Sequence, residues 1–309
     1  VVVVEVDSLS KSFGAVRAVD VVSCAVEEGE IFGIIGPDGA GKTTLLRMLA
    51  SLLLPNAGSA RLEGFDVVAN FREIRRRVGY MPGRFSLYGD LSVAENLSFF
   101  AAIFGTTVKA NRALIDPLYR FLEPFADRRA SALSGGMKQK LALCCALIHR
   151  PRVLLLDEPT TGVDAVSRRE LWEMLGSLRE QGITILVSTP YMDEAARCDR
   201  VALMSGGRFL AVAPPVQLAE QFGYPLFEIR PAVGDSRLAL ARALDALPET
   251  RSAAVFGEVV HHADLRRDLE PTALAAMLAE RGFAAAAVRR IVPGIEDVFI
   301  DLARDRDHA

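Results

Sequence analysis

The stretch Gly36-Pro37-Asp38-Gly39-Ala40-Gly41-Lys42-Thr43-Thr44 satisfies the pattern G-x-x-x-x-G-K-[ST] in full. Ahead of it runs Glu30-Ile31-Phe32-Gly33-Ile34-Ile35, short and apolar enough for a buried strand. Behind it runs Leu45-Leu46-Arg47-Met48-Leu49-Ala50, with the look of a buried helix. Strand, glycine loop and helix are the context that gives the pattern its meaning. Glycines let the backbone wrap so that successive N–H groups point inward at phosphate oxygens. The helix start adds its partial positive charge. In such a loop Lys42 reaches the β- and γ-phosphates of a nucleotide, and Thr43 offers its hydroxyl to Mg2+.

Working outward, the 309 residues suggest about two domains, and a hydrophobic share of 50% allows a large core. Net charge is −3 with both signs mixed along the chain, and no basic stripe argues for nucleic acid. Apolar runs are broken before they reach the roughly 20 residues of a membrane span. No basic segment followed by an apolar one opens the chain as a secretory signal would. Cys24, Cys144, Cys145 and Cys198 lack metal-ligand spacing, and the adjacent pair reads as buried small hydrophobes. Together these features suggest a reducing, cytosolic location.

In chain order, residues 1–6 and 18–26 read as strands around a loop at 8–16. Phe13 sits in that loop, either as a core aromatic or as a ring stacked on a nucleobase. Pro55-Asn56-Ala57-Gly58 is a turn, residues 59–62 and 65–68 are short strands, and residues 72–77 form a basic helical face. The short strand Val78-Gly79-Tyr80-Met81-Pro82 is followed by Gly83-Arg84-Phe85-Ser86. Ser92-Val93-Ala94-Glu95 fits a capping box opening a helix through Phe104. Helical patterns continue to residue 130, broken by Pro117 and Pro124, so residues 85–150 read as a helical insert.

Leu133-Ser134-Gly135-Gly136-Met137-Lys138-Gln139 opens a helix over 137–149, with Ser134 as N-cap. The same geometry leaves backbone N–H groups for a second anion. Val153-Leu154-Leu155-Leu156-Asp157-Glu158-Pro159 is a buried strand ending in two acids, which are costly there without partners. Asp157 suits the shell of Mg2+, and Glu158 suits a base for a water nucleophile. Thr161-Gly162-Val163-Asp164 is a turn, and helix 167–180, with Trp172 packing, stops at Gln181-Gly182. Strand 183–188 leads into Thr189-Pro190, and strands 201–204 and 209–212 form a hairpin. Strands alternating with helices predict a mostly parallel sheet. Ala213-Pro214-Pro215 marks a boundary between residues 1–215, the nucleotide-binding domain, and 216–309. The latter reads as a small α+β domain, with strands at 227–230, 253–256, 258–262 and 284–289 and helices at 236–247 and 272–281. His261-His262 has no further ligands near it and reads as a solvated strand end.

The ordered set of phosphate loop, Leu133–Gln139, Val153–Pro159 and Thr161–Asp164 resembles the ATP-binding subunits of ABC transporters. Leu-Ser-Gly-Gly at 133–136 is similar to that family's signature. Near the end, Ile295-Glu296-Asp297-Val298-Phe299-Ile300 is similar to the closing motif of bacterial type-2, drug-exporter-like ATPase subunits. The resemblance implies an α/β fold whose mostly parallel sheet carries an antiparallel β subdomain and a helical subdomain, followed by the small α+β domain. It also implies a head-to-tail dimer, with a second copy or with another ABC ATPase domain, in which each ATP lies between one chain's phosphate loop and the other's signature. Gly36, Pro37, Asp38, Gly39, Ala40, Gly41, Lys42, Thr43 and Thr44 would then hold the phosphates and Mg2+, and Phe13 the adenine. Asp157 would join Thr43 on Mg2+, with Glu158 and Lys42 as the catalytic pair. Ser134, Gly135 and Gly136 would close over the partner's γ-phosphate, and Asp164 would approach the partner's phosphate loop. Residues 85–130 would dock on a separate integral membrane permease, holding the chain on the inner face of the cell membrane.

Two positions depart from the family pattern. Gly83 stands where the family has a glutamine that contacts Mg2+ and the attacking water. Pro190 stands where the family has a histidine that contacts the γ-phosphate, and proline has no side-chain donor. No spare residue fills either gap: the histidines are 149, 261, 262 and 308, and His149, ahead of Arg150-Pro151, reads as a helix C-cap. Losing one positioned polar group at a reacting phosphate slows reaction by about 10²–10³. Both gaps fall in the half-site built on this chain's own loop, whereas the half lent to a partner is complete. The leading expectation is an ATP-driven exporter subunit with a slow site of its own, paired with a complete ATPase domain. The alternative is a non-hydrolysing nucleotide gate. A soluble ABC ATPase acting on ribosomes or DNA is disfavoured by the single phosphate loop and the absence of a basic arm.

Overall fold

The computed structural model describes residues 1–83 and 87–307, with side chains described through residue 304. It divides into two units, Val1–Pro214 and Pro215–Ala309. The first unit opens with the antiparallel pair β1 (Val2–Phe13) and β2 (Val16–Glu27). Next, β3 (Ile31–Ile35) leads through the glycine loop into α1 (Lys42–Leu49). Then come β4 (Ala57–Leu62), β5 (Phe65–Asp66), α2 (Phe71–Arg77) and β6 (Val78–Met81). The helices α3 (Val93–Ile103), α4 (Val108–Leu122) and α5 (Gly135–Leu147) form the insert. The core resumes with β7 (Val153–Asp157), α6 (Ala165–Glu180), β8 (Thr184–Thr189), β9 (Arg200–Ser205) and β10 (Arg208–Ala213).

The central sheet has the order β10-β9-β3-β8-β7-β6, and only the β10–β9 pair is antiparallel. Parallel strands covered on both faces read as unbroken apolar runs, and every residue of β3, β7 and β8 is buried. Each buried aliphatic side chain stabilises by about 1.5–3 kcal/mol relative to exposure. That burial fixes the strands, and with them the carboxyl ends where such sheets bind ligands. A second sheet, β2-β1-β4-β5, is antiparallel throughout.

Several local expectations need correction. The stretch 8–16 is strand up to Phe13 and again from Val16, with only Gly14-Ala15 between. Ser8 has φ 50° and the β1–β2 register slips repeatedly between Val6 and Ser12, so the alternation that marks a strand is lost there. Pro117 does not break its helix but lies inside α4. Interior proline costs a helix about 3 kcal/mol, which the burial of Ile115, Leu118, Tyr119 and Leu122 offsets. The capping box at Ser92 and Glu95 forms as expected. Helix α5 starts at Gly135, directly after its cap Ser134, rather than at 137. The His149 ring does not act as a cap; it stacks on Phe104 with centroids 3.8 Å apart and planes 11° apart. Burial pushes its pKa down to about 4. The stretch Arg84-Phe85-Ser86, with the expected start of the insert, and His308 lie outside the described residues.

The second unit runs α7 (Pro215–Glu220), β11 (Leu226–Arg230), α8 (Arg237–Asp245), β12 (Thr250–Phe256), β13 (Val259–Asp264), α9 (Pro271–Ala279), β14 (Ala287–Ile291) and α10 (Ile295–Asp307). Strands β11 to β14 pair antiparallel in the order β12-β13-β11-β14. With α8 and α9 this is the β-α-β-β-α-β arrangement of ferredoxin-like folds. Phe227, Ile229, Leu240, Leu244, Val260, Leu274 and Leu278 form its core. His261 and His262 are not a solvated strand end. His262 is fully buried, bonded to Asp264 at 3.1 Å and stacked on Phe227, while His261 meets Asp297 at 2.8 Å.

Candidate functional site

Strands β3, β6, β7 and β8 run parallel, so their carboxyl ends share one edge of the sheet. That edge carries the phosphate loop after β3, Gly83 shortly after β6, Asp157 and Glu158 at β7, and Thr189-Pro190 at β8. The loop's glycines are dictated by space. A Cβ on Gly36 would lie 2.0 Å from the Met204 carbonyl oxygen. Gly41, at φ 109°, would place one 2.1 Å from the Ala18 carbonyl oxygen.

A cavity over the loop is lined by Phe13, Val16, Arg17, Ala18, the run from Gly39 to Thr44, Glu158 and Gly206. Phe13 is 52% exposed, with the Lys11 ammonium 5.4 Å from its ring centre. Lys42 is only 3% exposed. Its ammonium donates to the carbonyls of Gly36 (2.7 Å) and Pro37 (3.0 Å) and lies 3.2 Å from Glu158 Oε1. An ammonium has three donors; two meet loop carbonyls and the third faces the Glu158 carboxylate. Asp38 is exposed in the loop, while Gly36 and Ala40 are buried.

Asp157, 2% exposed, accepts at Oδ1 from Thr43 Oγ1 (2.9 Å) and from Ser188 Oγ (2.8 Å). Glu158 follows with φ 50°, and its N–H donates to Ser188 Oγ at 3.1 Å. The Thr43 hydroxyl and the Asp157 carboxylate are hard oxygen donors of the kind Mg2+ takes.

The residues expected to serve a partner form a separate cluster. Ser134 Oγ accepts from Met137 N–H at 3.4 Å and starts α5. Asp164 starts α6, accepting from the N–H groups of Ser167 (3.0 Å) and Val166 (3.1 Å). Hydrogen bonds from Ser167, then from Val166, hold its carboxyl below the usual range. A Cβ on Gly136 would lie 2.7 Å from Ser167 Oγ and 3.9 Å from Asp164 Oδ2, and one on Gly135 3.4 Å from the Gly162 carbonyl. These two turns pack against each other, and neither lines the cavity over the phosphate loop.

Gly83 faces the end of β7: a Cβ there would lie 2.9 Å from the Asp157 carbonyl oxygen and 3.7 Å from Glu158 Cβ. Pro190 offers no donor, and its neighbour does not substitute. Thr189 Oγ1 donates to the buried Glu194 at 2.5 Å and accepts from Tyr191 N–H at 3.1 Å. Sequence reasoning missed Arg17 and Ser188. Arg17 fell between the expected loop at 8–16 and the expected strand at 18–26, whereas β2 already begins at Val16. Ser188 carried no signal beyond its place at the end of an apolar strand.

A family model described as "ABC transporter" matches residues 19–161. The "Probable multidrug ABC transporter ATP-binding protein YbhF" of Escherichia coli is 41% identical over 305 residues, covering 97% of this chain and 52% of that protein. This chain thus spans about half the length of that relative. The "Nod factor export ATP-binding protein I" of Paraburkholderia xenovorans is 45% identical over 230 residues, 73% of this chain and 76% of that protein. Among solved structures, an ATP-binding subunit of an ABC transporter superposes with a TM-score of 0.66 at 29% identity, over 72% of this chain and 93% of that one. A dimeric ATP-binding cassette in a post-hydrolysis state bound to ADP and Pi gives 0.62 at 25% identity, over 68% and 98%. With its phosphate loop, signature turn and paired acids on one such scaffold, the chain belongs to the ATP-binding proteins of the ABC transporter family.

Proposed function

We propose that this chain is the ATP-driven subunit of a membrane exporter, and that it acts as one half of a head-to-tail pair of ATPase domains. ATP lies on Gly36–Thr44 with its adenine on Phe13, and Thr43 and Asp157 hold Mg2+, which supplies charge neutralisation at the phosphates. Glu158 takes the proton of a water whose oxygen attacks the γ-phosphorus, and ADP leaves. Lys42 neutralises the charge that develops on the phosphate oxygens. Ser134–Gly136 and Asp164 complete the corresponding site on the partner. The printed names of the relatives, multidrug and Nod factor export, support an exporter. The unmatched half of the E. coli relative leaves room for a second cassette. Docking on a permease through residues 85–130 is supported by an apolar groove among Tyr80, Met81, Leu87, Phe100, Phe104 and His149. Among the described residues no helix is long and apolar enough to cross a membrane.

The observation that carries the slow-site reading is an asymmetry. Phosphate loop, Asp157 and Glu158 meet at one sheet edge, yet Gly83 and Pro190 there bring no polar side chain to the γ-phosphate. The lent half has no such gap. Single-turnover hydrolysis, measured on the chain alone and on the chain mixed with a complete cassette, tests this. Slow turnover alone and faster turnover in the mixture supports it, while equal fast turnover in both removes it. The gate without hydrolysis is favoured by the same two positions but opposed by the retained Glu158.

A further inference from the structure

We propose that Ser188 is a positioning residue that fixes the Asp157 carboxylate and the Glu158 backbone as one unit, and thereby sets the metal affinity of the nucleotide site. The inference rests on the roles proposed above for Asp157 and Glu158.

Ser188 lies in β8, fully buried, opposite Asp157 in the final parallel pairing of β7 with β8. Its hydroxyl donates to Asp157 Oδ1 at 2.8 Å and accepts from the Glu158 N–H at 3.1 Å. The same N–H also points at the Ser188 carbonyl, again at 3.1 Å. One hydroxyl therefore joins the two acids. A serine can give and take a hydrogen bond at once, an alanine can do neither, and a cysteine is a weak donor.

Each acid needs this help for a different reason. Glu158 sits at φ 50°, a left-handed backbone that favours glycine. Its N–H, shared between two oxygens of one residue, pins it there and so aims its side chain at Lys42. Asp157 Oδ1 accepts from Ser188 and from Thr43. The Thr43 hydroxyl can keep donating to Asp157 while an oxygen lone pair faces a metal, so Thr43 and Ser188 share the task of orienting Oδ1. Ser188 alone ties that carboxylate to the Glu158 backbone. Partners that orient a metal ligand typically change affinity by about 10–100-fold when removed.

The test uses the purified full chain, with Mn2+ as a spectroscopic probe. Mn2+ binding in the presence of ATP is followed by electron paramagnetic resonance, and binding of a fluorescent ADP analogue in EDTA is measured in parallel. Ser188→Ala is expected to weaken Mn2+ by about 10–100-fold without weakening metal-free nucleotide binding. Ser188→Cys keeps the volume and loses the strong donor, so it is expected to show the same split, and it decides the matter if the alanine variant does not fold. Wild-type Mn2+ affinity in the folded variant overturns the proposal. So does an equal loss of metal-dependent and metal-free binding, which would mark Ser188 as merely structural. Asp157→Asn separates the two levels. If it leaves Mn2+ affinity unchanged, the metal role of Asp157 has failed, and Ser188's role falls with it.

Discussion

Replacing Glu158 with glutamine should make nucleotide bind more tightly even where no hydrolysis can occur. The carboxylate lies 3.2 Å from the Lys42 ammonium, which is only 3% exposed. At an effective dielectric of about 20, a pair at that distance attracts by about 5 kcal/mol. Much of this is offset by the desolvation of both groups. What an incoming phosphate must displace is closer to a hydrogen bond between charged groups, about 1.5–3 kcal/mol. The amide of glutamine is isosteric and neutral, so Lys42 is released from that competitor, and the phosphates no longer face a carboxylate. Affinity should rise by about 10–100-fold. The assay is an equilibrium titration of both proteins with a fluorescent ATP analogue in EDTA, which silences turnover. Equal affinity, or weaker binding by Glu158→Gln, would refute the view that Glu158 occupies the anion position.

Other expectations are independent of that one. Gly36→Ala places a methyl 2.0 Å from a backbone oxygen, so the loop must shift, and nucleotide affinity should fall by at least about tenfold by the same titration. Ser134→Ala removes a cap whose hydrogen bond is long at 3.4 Å, so melting should shift by only about 0.5–1 kcal/mol. Turnover of a partner cassette paired with that variant should nevertheless drop sharply. The buried His149 stays neutral down to about pH 4, against 6.5 for a free histidine. Between those values the unfolded chain binds the extra proton. Stability contributed by the neutral ring is therefore present above about pH 6.5 and lost on acidification, at about 1.4 kcal/mol per pH unit. His149→Phe keeps the stack on Phe104 and should flatten that part of the pH–stability profile, read by thermal melts from pH 7 to 5.

The parallel core was legible because its strands are buried on both faces and so announce themselves as apolar runs. The meeting of the loop at 36–44 with Asp157 and Glu158 at one sheet edge was legible because their spacing is set by backbone geometry, which few sequences satisfy by chance. Local irregularity was not. The bulged hairpin at 8–16 hides its strands behind serines, and Pro117 is overridden by packing that only the folded insert supplies. His262 looked solvated because nothing in its neighbours announces Asp264 and Phe227 as its partners. Ser188 was unreadable for a related reason: it lies 31 positions from Asp157 in sequence, and only the pairing of β7 with β8 brings the two together.

The proposed division of labour between a weak own site and an intact lent half is tested most directly by the steady-state ATP turnover of the purified chain alone, beside its Glu158→Gln variant. Turnover far below an ordinary rate of about 1–10² s⁻¹, rising when a complete cassette is added, is the expected result. An ordinary rate from the chain alone, abolished by Glu158→Gln, would contradict it.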